Sequence, residues 1–192
     1  MTVMATDPRT RRTTTALRAA LRASLADQPL DDISVSELCR AAGVRRTTFY
    51  THYSGVGELI AAMLVEEIDA PLDLPDTTGM TTSETSAAFQ DTLVAGFAVV
   101  ARERDLFRAA FASSTSSLLR RRLEAKFVER LEIALHVWRS HGEATDVVDA
   151  VAVPFAAAGL AGSVEAWALS AHADPVGWAD STRDQMPPWW PR

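Results

Sequence analysis

The amino-acid sequence predicts an all-α protein: an N-terminal three-helix domain containing a helix-turn-helix, followed by a larger C-terminal helical domain. Three observations carry that prediction. Apolar residues recur at three- and four-residue spacing over long stretches, the period of one face of an α-helix. Neither internal repeats nor a useful length of β alternation interrupts them. The segment ELCRAAGVRRTTFYTHY, residues 37 to 53, sets a small residue, a glycine and a hydrophobic residue at the spacing of two helices crossing over a tight turn.

The helices are justified in order along the chain. Residues 1 to 8 lack periodicity and read as a loose tail. A first helix fits 10 to 26, with Leu17, Ala20, Leu21, Ser24 and Leu25 on one face, and Pro29 with Asp31 and Asp32 ends it. Ser34 is placed to cap a second helix, and Glu37, three residues on, to reach back and complete a capping box. Gly43 ends that helix. A short helix covers 45 to 51, and a fourth runs from 56 to 69 on a stripe of Leu59, Ile60, Met63, Leu64 and Ile68. Residues 70 to 82, APLDLPDTTGMTT, carry two prolines and a glycine and read as a loop. Helices then fit 83 to 102, 104 to 112, 115 to 141, 146 to 172 and 175 to 185, with Pro154 either kinking the eighth or marking its start. The prolines of MPPWWPR exclude a helix at the end.

Composition narrows the function. The chain has 192 residues, 47% hydrophobic and 23% charged, enough for a globular protein with a real core. Its net charge of −6 is uneven: residues 1 to 55 hold eight arginines against five acids, whereas the remainder holds 11 basic and 20 acidic residues. A basic end on an acidic body predicts that this end meets a polyanion. The single cysteine, Cys39, excludes an intrachain disulfide and points to the cytoplasm. The N-terminus has no apolar stretch of a secretory signal, and the longest apolar run, 150 to 162, reads as too short to span a bilayer, so no membrane segment is expected. The histidines at 52, 136, 141 and 172 show no metal-ligand spacing with Cys39, and neither a glycine-rich phosphate loop nor a nucleophile elbow is visible. No enzyme, metal or cofactor is therefore expected.

The helix-turn-helix assigns a task to each residue. Cys39 is small enough for the helix crossing, Gly43 can take the left-handed conformation that redirects the chain, and Val44 and Phe49 pack inward. Cys39 reads as a buried structural thiol. The second helix then exposes Arg45, Arg46, Thr47 and Thr48, and one turn on Tyr50, Thr51 and His52. Arginine can bond both acceptors of guanine, and the threonine methyl can pack on thymine. Arg46 is a candidate for a base edge or a phosphate, and Arg45 and Tyr50 for phosphates. Ser36, beside the cap of the preceding helix, joins the DNA-binding set, and Arg9, Arg11 and Arg12 can steer the duplex backbone.

At these residues the stretch ISVSELCRAAGVRRTTFYTHYSGVGELI resembles the N-terminal domain of TetR-family transcriptional regulators. The shared features are the Ser34 cap, Leu38-Cys39, Ala42-Gly43-Val44, Phe49-Tyr50, His52-Tyr53 and Glu58-Leu59, and the likeness is specific over residues 10 to 65. One departure stands out: Val56 occupies the place of a lysine that contacts phosphate in the family.

The resemblance implies a DNA-binding domain over residues 9 to 55 and an effector-binding and dimerisation domain over 56 to 192. It implies a ligand-responsive homodimer, a repressor released from a palindromic operator by a small, largely apolar effector. An activator of the same fold and a helical interaction protein with weakened DNA binding are the alternatives. Phe89, Leu93 and Phe97, with Phe127, Leu131 and Trp138, are the candidate effector-binding residues, as apolar stripes of helices five and seven. Arg130, His136, Glu165 and Trp167 are candidates for its polar groups. Small residues between Phe155 and Trp167, among them Gly159, Gly162 and Ser163, with Phe155 and Trp167 themselves as anchors at the ends, mark a candidate dimer interface, which the resemblance places on helices eight and nine. The basic run LLRRRLEAKFVER, 118 to 130, reads as a solvated helix face.

Overall fold

The computed structural model describes residues 8–73 and 76–191. Among those residues it consists of helices joined by turns, with no strand. Residues 1–7 of the expected tail, residues 74 and 75 of the expected loop, and the final Arg192 lie outside the described residues.

Helix α1, Pro8–Leu25, starts two residues earlier than its periodicity indicates, because proline at the first helical position needs no hydrogen-bond partner there. It buries Leu17, Ala20 and Leu21. A 3₁₀ turn at Leu30–Asp32 follows, and Leu30 with Ile33 seals the space beneath it. Helix α2, Val35–Ala42, opens with the expected capping box: the Glu37 amide donates to Ser34 Oγ at 3.2 Å, and the Ser34 amide donates to the Glu37 carboxylate at 3.2 Å. Hydrogen bonds from the Ser34 side chain and then its backbone hold the Glu37 carboxyl below its ordinary pKa. Ser34→Ala is expected to lower the melting midpoint by about 2–4 °C at pH 7. Because the folded pKa is depressed, this contribution is present above the unfolded carboxylate range and is lost as pH falls through the native value. Melts of both proteins at pH 7 and pH 3 check it: the gap should be full at the first and shrink at the second.

Helices α3 (Arg46–Tyr50) and α4 (Val56–Asp69) complete the N-terminal half. The loop expected at 70 to 82 begins with a second 3₁₀ turn, Ala70–Leu72, and ends where Thr81 and Glu84 form another capping box. The body consists of α5 (Thr82–Arg102), α6 (Arg104–Phe111), α7 (Ser116–Ser140), α8 (Asp149–Leu169) and α9 (Pro175–Asp184). Pro154 lies inside α8, so it does not mark the helix start.

One hydrophobic cluster runs from Leu21 of α1 and Phe49 of α3 through Ile60 and Leu64 of α4 to Phe107, Leu123 and Trp167 of the body. α4 is the shared element: it packs on α1, α5, α6 and α7. Charged pairs hold it in place. Glu58 near its start pairs with Arg122 of α7, and Asp69 at its end accepts from Arg130 of α7 at 2.7 Å. Arg18 of α1 pairs with Glu66, and Arg22 with Glu103 at the end of α5. Burial pushes the Glu103 carboxyl up, but hydrogen bonds from Arg22 and Arg102 outweigh it and hold the carboxyl below its ordinary range. The run 118 to 130 is thus not merely solvated. Arg120, Arg122 and Arg130 reach Glu165, Glu58 and Asp69, tying α7 to α8 and α4.

Arg104 and Arg108 of α6 terminate α8. Arg104 donates to the carbonyls of Ser170 and His172, both at 2.7 Å, and Arg108 to those of Ala168 at 2.9 Å and Ser170 at 2.6 Å. The last carbonyls of a helix lack partners within it, and the helix dipole favours cations there. Nothing in the periodicity of residues 104 to 108 points to this role.

Candidate functional site

The helix-turn-helix is built as its residues require. Gly43 has φ of 65°, the left-handed conformation that closes α2. Its amide points to Arg40 O at 3.3 Å, and the Val44 amide donates to Cys39 O at 2.9 Å, so two end carbonyls of α2 are satisfied as the chain turns. Leu38, Cys39 and Phe49 are buried between the two helices and α1, with Val44 half-buried. Burial raises the Cys39 pKa, with Arg46 offsetting part of the rise, so the thiol stays protonated and structural.

The opposite face of α3 is open. Arg45, Arg46, Thr47, Tyr50, Thr51 and His52 are exposed, Thr48 is half-buried, and Ser36 on α2 is exposed beside them. Tyr50 keeps half of its surface in solvent, and the Arg46 guanidinium lies 6.0 Å from its ring centroid. Phe49 meets Tyr50 edge-on at 5.5 Å, so the buried ring steadies the exposed one. Thr51 is partly spent locally: its Oγ1 donates to Thr48 O at 2.6 Å. Arg11 and Arg12 are exposed on the first turns of α1.

Val56 is not a neutral replacement on this surface. It is the first residue of α4 and is 9% exposed, turned into the core. The position that holds a lysine in the resembled family here serves packing.

In the body, α5, α7 and α9, with Leu72 and Asp73 at the second 3₁₀ turn and Leu160 of α8, line an open-sided cavity of about 440 Å³. Phe89 and Leu93 of α5 and Phe127 and Leu131 of α7 line it, as their stripes suggest. Phe97 and Trp138 do not. At about 100° per residue, Phe97 is rotated by about 80° from Phe89 and faces α8, where it meets Trp167. Trp138 keeps the stripe but lies beyond the end of the cavity, buried between Phe89 at 4.9 Å and Trp190 at 5.7 Å. Of the proposed polar groups, Arg130 lines the cavity, held by Asp69 and by Asp73 at 2.8 Å. His136 is exposed, Glu165 pairs with Arg120, and Trp167 is fully buried. Gln90, Arg183 and Trp190 also line the cavity and were missed, since neither a glutamine nor a terminal Pro-Trp segment carries a helical stripe.

A second concavity, about 820 Å³, lies between α8 and α9. Phe155, 70% exposed, and Gly159 line it, and space is open around Gly159 and Gly162. Ser163 also lines it but is engaged inside the chain, with Thr182 at 2.8 Å and as acceptor from Trp178 Nε1 at 3.1 Å. Trp167 is not on this surface. It is fully buried and donates from Nε1 to Phe97 O at 2.9 Å, which corrects its reading as an interface anchor. The apolar run at 150 to 162, taken as too short for a bilayer, sits in a 21-residue helix that is long and apolar enough by length and composition. One side of that helix packs on α7. The other exposes Val151 and Phe155, with Val148 just before its start.

No family model matches the chain, and no curated protein matches it by sequence. Solved structures match its fold over nearly its whole length. DhaS, a dihydroxyacetone kinase operon activator, superposes with a TM-score of 0.63 at 13% identity, covering 91% of this chain and 93% of its own. The TetR-family repressor AlkX from Dietzia gives 0.56 at 15% identity, with 91% and 93% covered. The chain has the fold of the TetR-family regulators. NalD of Pseudomonas aeruginosa, the secondary repressor of the MexAB-OprM efflux pump, gives 0.59 at 18% identity, with 92% and 96% covered.

Proposed function

We propose that this protein is a homodimeric, ligand-responsive transcriptional regulator that acts in the cytoplasm as a repressor at a palindromic operator. The observation that carries the reading is the open face of α3, where Arg45, Arg46, Thr47, Tyr50 and His52 stand together on a turn whose other side is fully packed. Such a helix enters the major groove, its arginine fork reading guanine and its threonine methyl packing on thymine. Ser36, Arg11 and Arg12 flank it toward the phosphates. With Val56 buried, phosphate anchoring falls to these groups.

The dimer uses the face of α8 and α9 around Phe155 and Gly159, where an exposed apolar strip would otherwise meet water. The effector occupies the cavity of α5 and α7. Arg130 links that cavity to Asp69 at the end of α4, and α4 packs on α1, which in turn packs on α2. An effector that favours one placement of α4 shifts the dimer between spacings of its recognition helices, only one of which matches DNA. An activator is the second reading. DhaS, which shares the fold, is described as an activator, and the sign depends on where the operator lies.

Selection from a random duplex pool at near-physiological salt tests the reading. A palindrome with half-sites about one helical turn apart is expected, and Arg46→Ala should bind it with about 1–3 kcal/mol less free energy and relaxed choice at one position per half-site. Failure to enrich any palindrome would overturn the proposal in favour of an interaction protein.

A further inference from the structure

The corner between α6 and α7 grips the DNA-binding half on two sides through consecutive residues, Ser114 and Thr115. On one side, the Asp31 carboxylate accepts the Ser114 amide on both oxygens, at 3.2 and 3.1 Å, and the Ser114 hydroxyl at 2.7 Å. Asp31 belongs to the 3₁₀ turn just ahead of α2. On the other side, Thr115 stands so near the first turn of α4 that a Cβ on Gly57 would lie 2.5 Å from Thr115 Oγ1. Only glycine permits that approach. In the chain, α2 and α3 lie between these two contacts.

The corner is tied together from within. Ser113 Oγ donates to Ala110 O at 2.8 Å and accepts from the Thr115 amide at 3.1 Å, and the Ser116 amide donates to Ser113 O at 3.2 Å. Thr115 is buried. α6 enters the corner from Arg104 and Arg108, which hold the end of α8, and α7 leaves it toward Arg122, paired with Glu58, and Arg130 at the cavity. Asp31 is not a cap of α7. The N-cap is Thr115, and Ser114 precedes it, so the carboxylate holds the corner rather than the first helical amides. Hydrogen bonds to an ionised carboxylate are the stronger class.

We propose that the Asp31–Ser114 contact is a latch that sets the angle of α2 and α3 on the body, and with it the separation of the two recognition helices in the dimer. Asp31 is thus a positioning residue. It touches Ser114 rather than DNA and acts through the helices that follow it. This rests on the reading of the protein as a dimer on a palindromic operator and names a contact that governs its geometry. The test uses the full-length protein and the selected palindrome, versions of it with one base pair added or removed between the half-sites, and a duplex carrying a single half-site.

One base pair turns a half-site by about 35° around the duplex, so the unsubstituted dimer should lose about tenfold in affinity on either altered spacing. In Asp31→Ala that preference should fall to about threefold, while affinity for the single half-site stays within about twofold. Ser114→Ala keeps the amide bonds, so it should relax the preference less, and adding it to Asp31→Ala should change nothing more. A spacing preference that survives in Asp31→Ala, or is absent from the unsubstituted dimer, would overturn the latch and leave the operator reading standing. Loss of the single half-site in Asp31→Ala would also overturn it, by showing that the contact only supports the fold of the turn. An unsubstituted protein that enriches no palindrome would overturn the operator reading itself.

Discussion

Trp167→Ala is expected to lower the free energy of unfolding by about 3–5 kcal/mol, among the largest effects open to a single substitution in this chain. Trp167 is fully buried, and every side of its ring is occupied. Phe97 stands against it edge-on at 6.1 Å, Trp178 lies at 5.1 Å, and the Arg104 guanidinium sits 4.6 Å from its centroid. Its Nε1 donates to Phe97 O. Truncation leaves a cavity between α5, α6, α8 and α9 and removes the cation–π contact of the arginine that also caps α8. The role also sets what the measurement must show. A core residue lowers stability equally at all protein concentrations. An interface residue would act through association, so by mass action its effect would shrink on dilution, as the unsubstituted protein dissociates too. Urea unfolding at two concentrations a hundredfold apart separates the two, and a loss confined to the concentrated sample would return Trp167 to the interface.

How Trp167 came to be read as an interface residue shows where sequence stops informing. Small residues from Ala158 to Ser163 signal that something approaches α8 closely, but the same signal comes from a neighbour in the chain. Here both happen. Ser163 receives Trp178 and Thr182 of α9, while Gly159 faces open space. Four residues separate Ser163 from Trp167, yet one borders a surface groove and the other is sealed inside. The helical period places both near one stripe, and only the position of α9 decides between them.

Local chemistry was far more legible. The bounds of α4, Val56–Asp69, follow from its stripe, and the capping box of α2 fixes its start to the residue, whereas the unread box of Thr81 and Glu84 starts α5 one residue before its expected place. Gly43 adopts the conformation that a turn at that point demands. These features are set within four or five residues of themselves. The cavity is not. Gln90 and Arg183 are far apart in the chain and become neighbours only because α5 packs on α9, and Trp190 reaches Phe89 from a segment with no period at all. Val56 lies between the two cases. Its identity announced a missing lysine, but only the packing of α4 shows that its side chain is turned inward.

Phe49 and Tyr50 are consecutive, and opposite results are expected from them. Phe49→Ala should cost about 3–5 kcal/mol of stability, because its ring is fully buried and holds α2, α3 and Tyr53 together. Operator binding should then disappear with the fold of the turn. Tyr50→Ala should change stability by less than about 0.5 kcal/mol, since half of the ring already lies in water. It should still weaken operator binding by about tenfold, through the lost phenol and the loosened Arg46 that lies over its ring. Melting each variant alone, then titrating it onto a selected duplex, gives the two numbers for each. If Tyr50→Ala destabilises the protein as Phe49→Ala does, the exposed face is a structural surface. If it melts normally and binds the duplex unchanged, Tyr50 stands outside the contact and the recognition face shrinks to Arg45–Thr48. Binding lost without stability lost is the result that separates a helix that reads DNA from one that only packs.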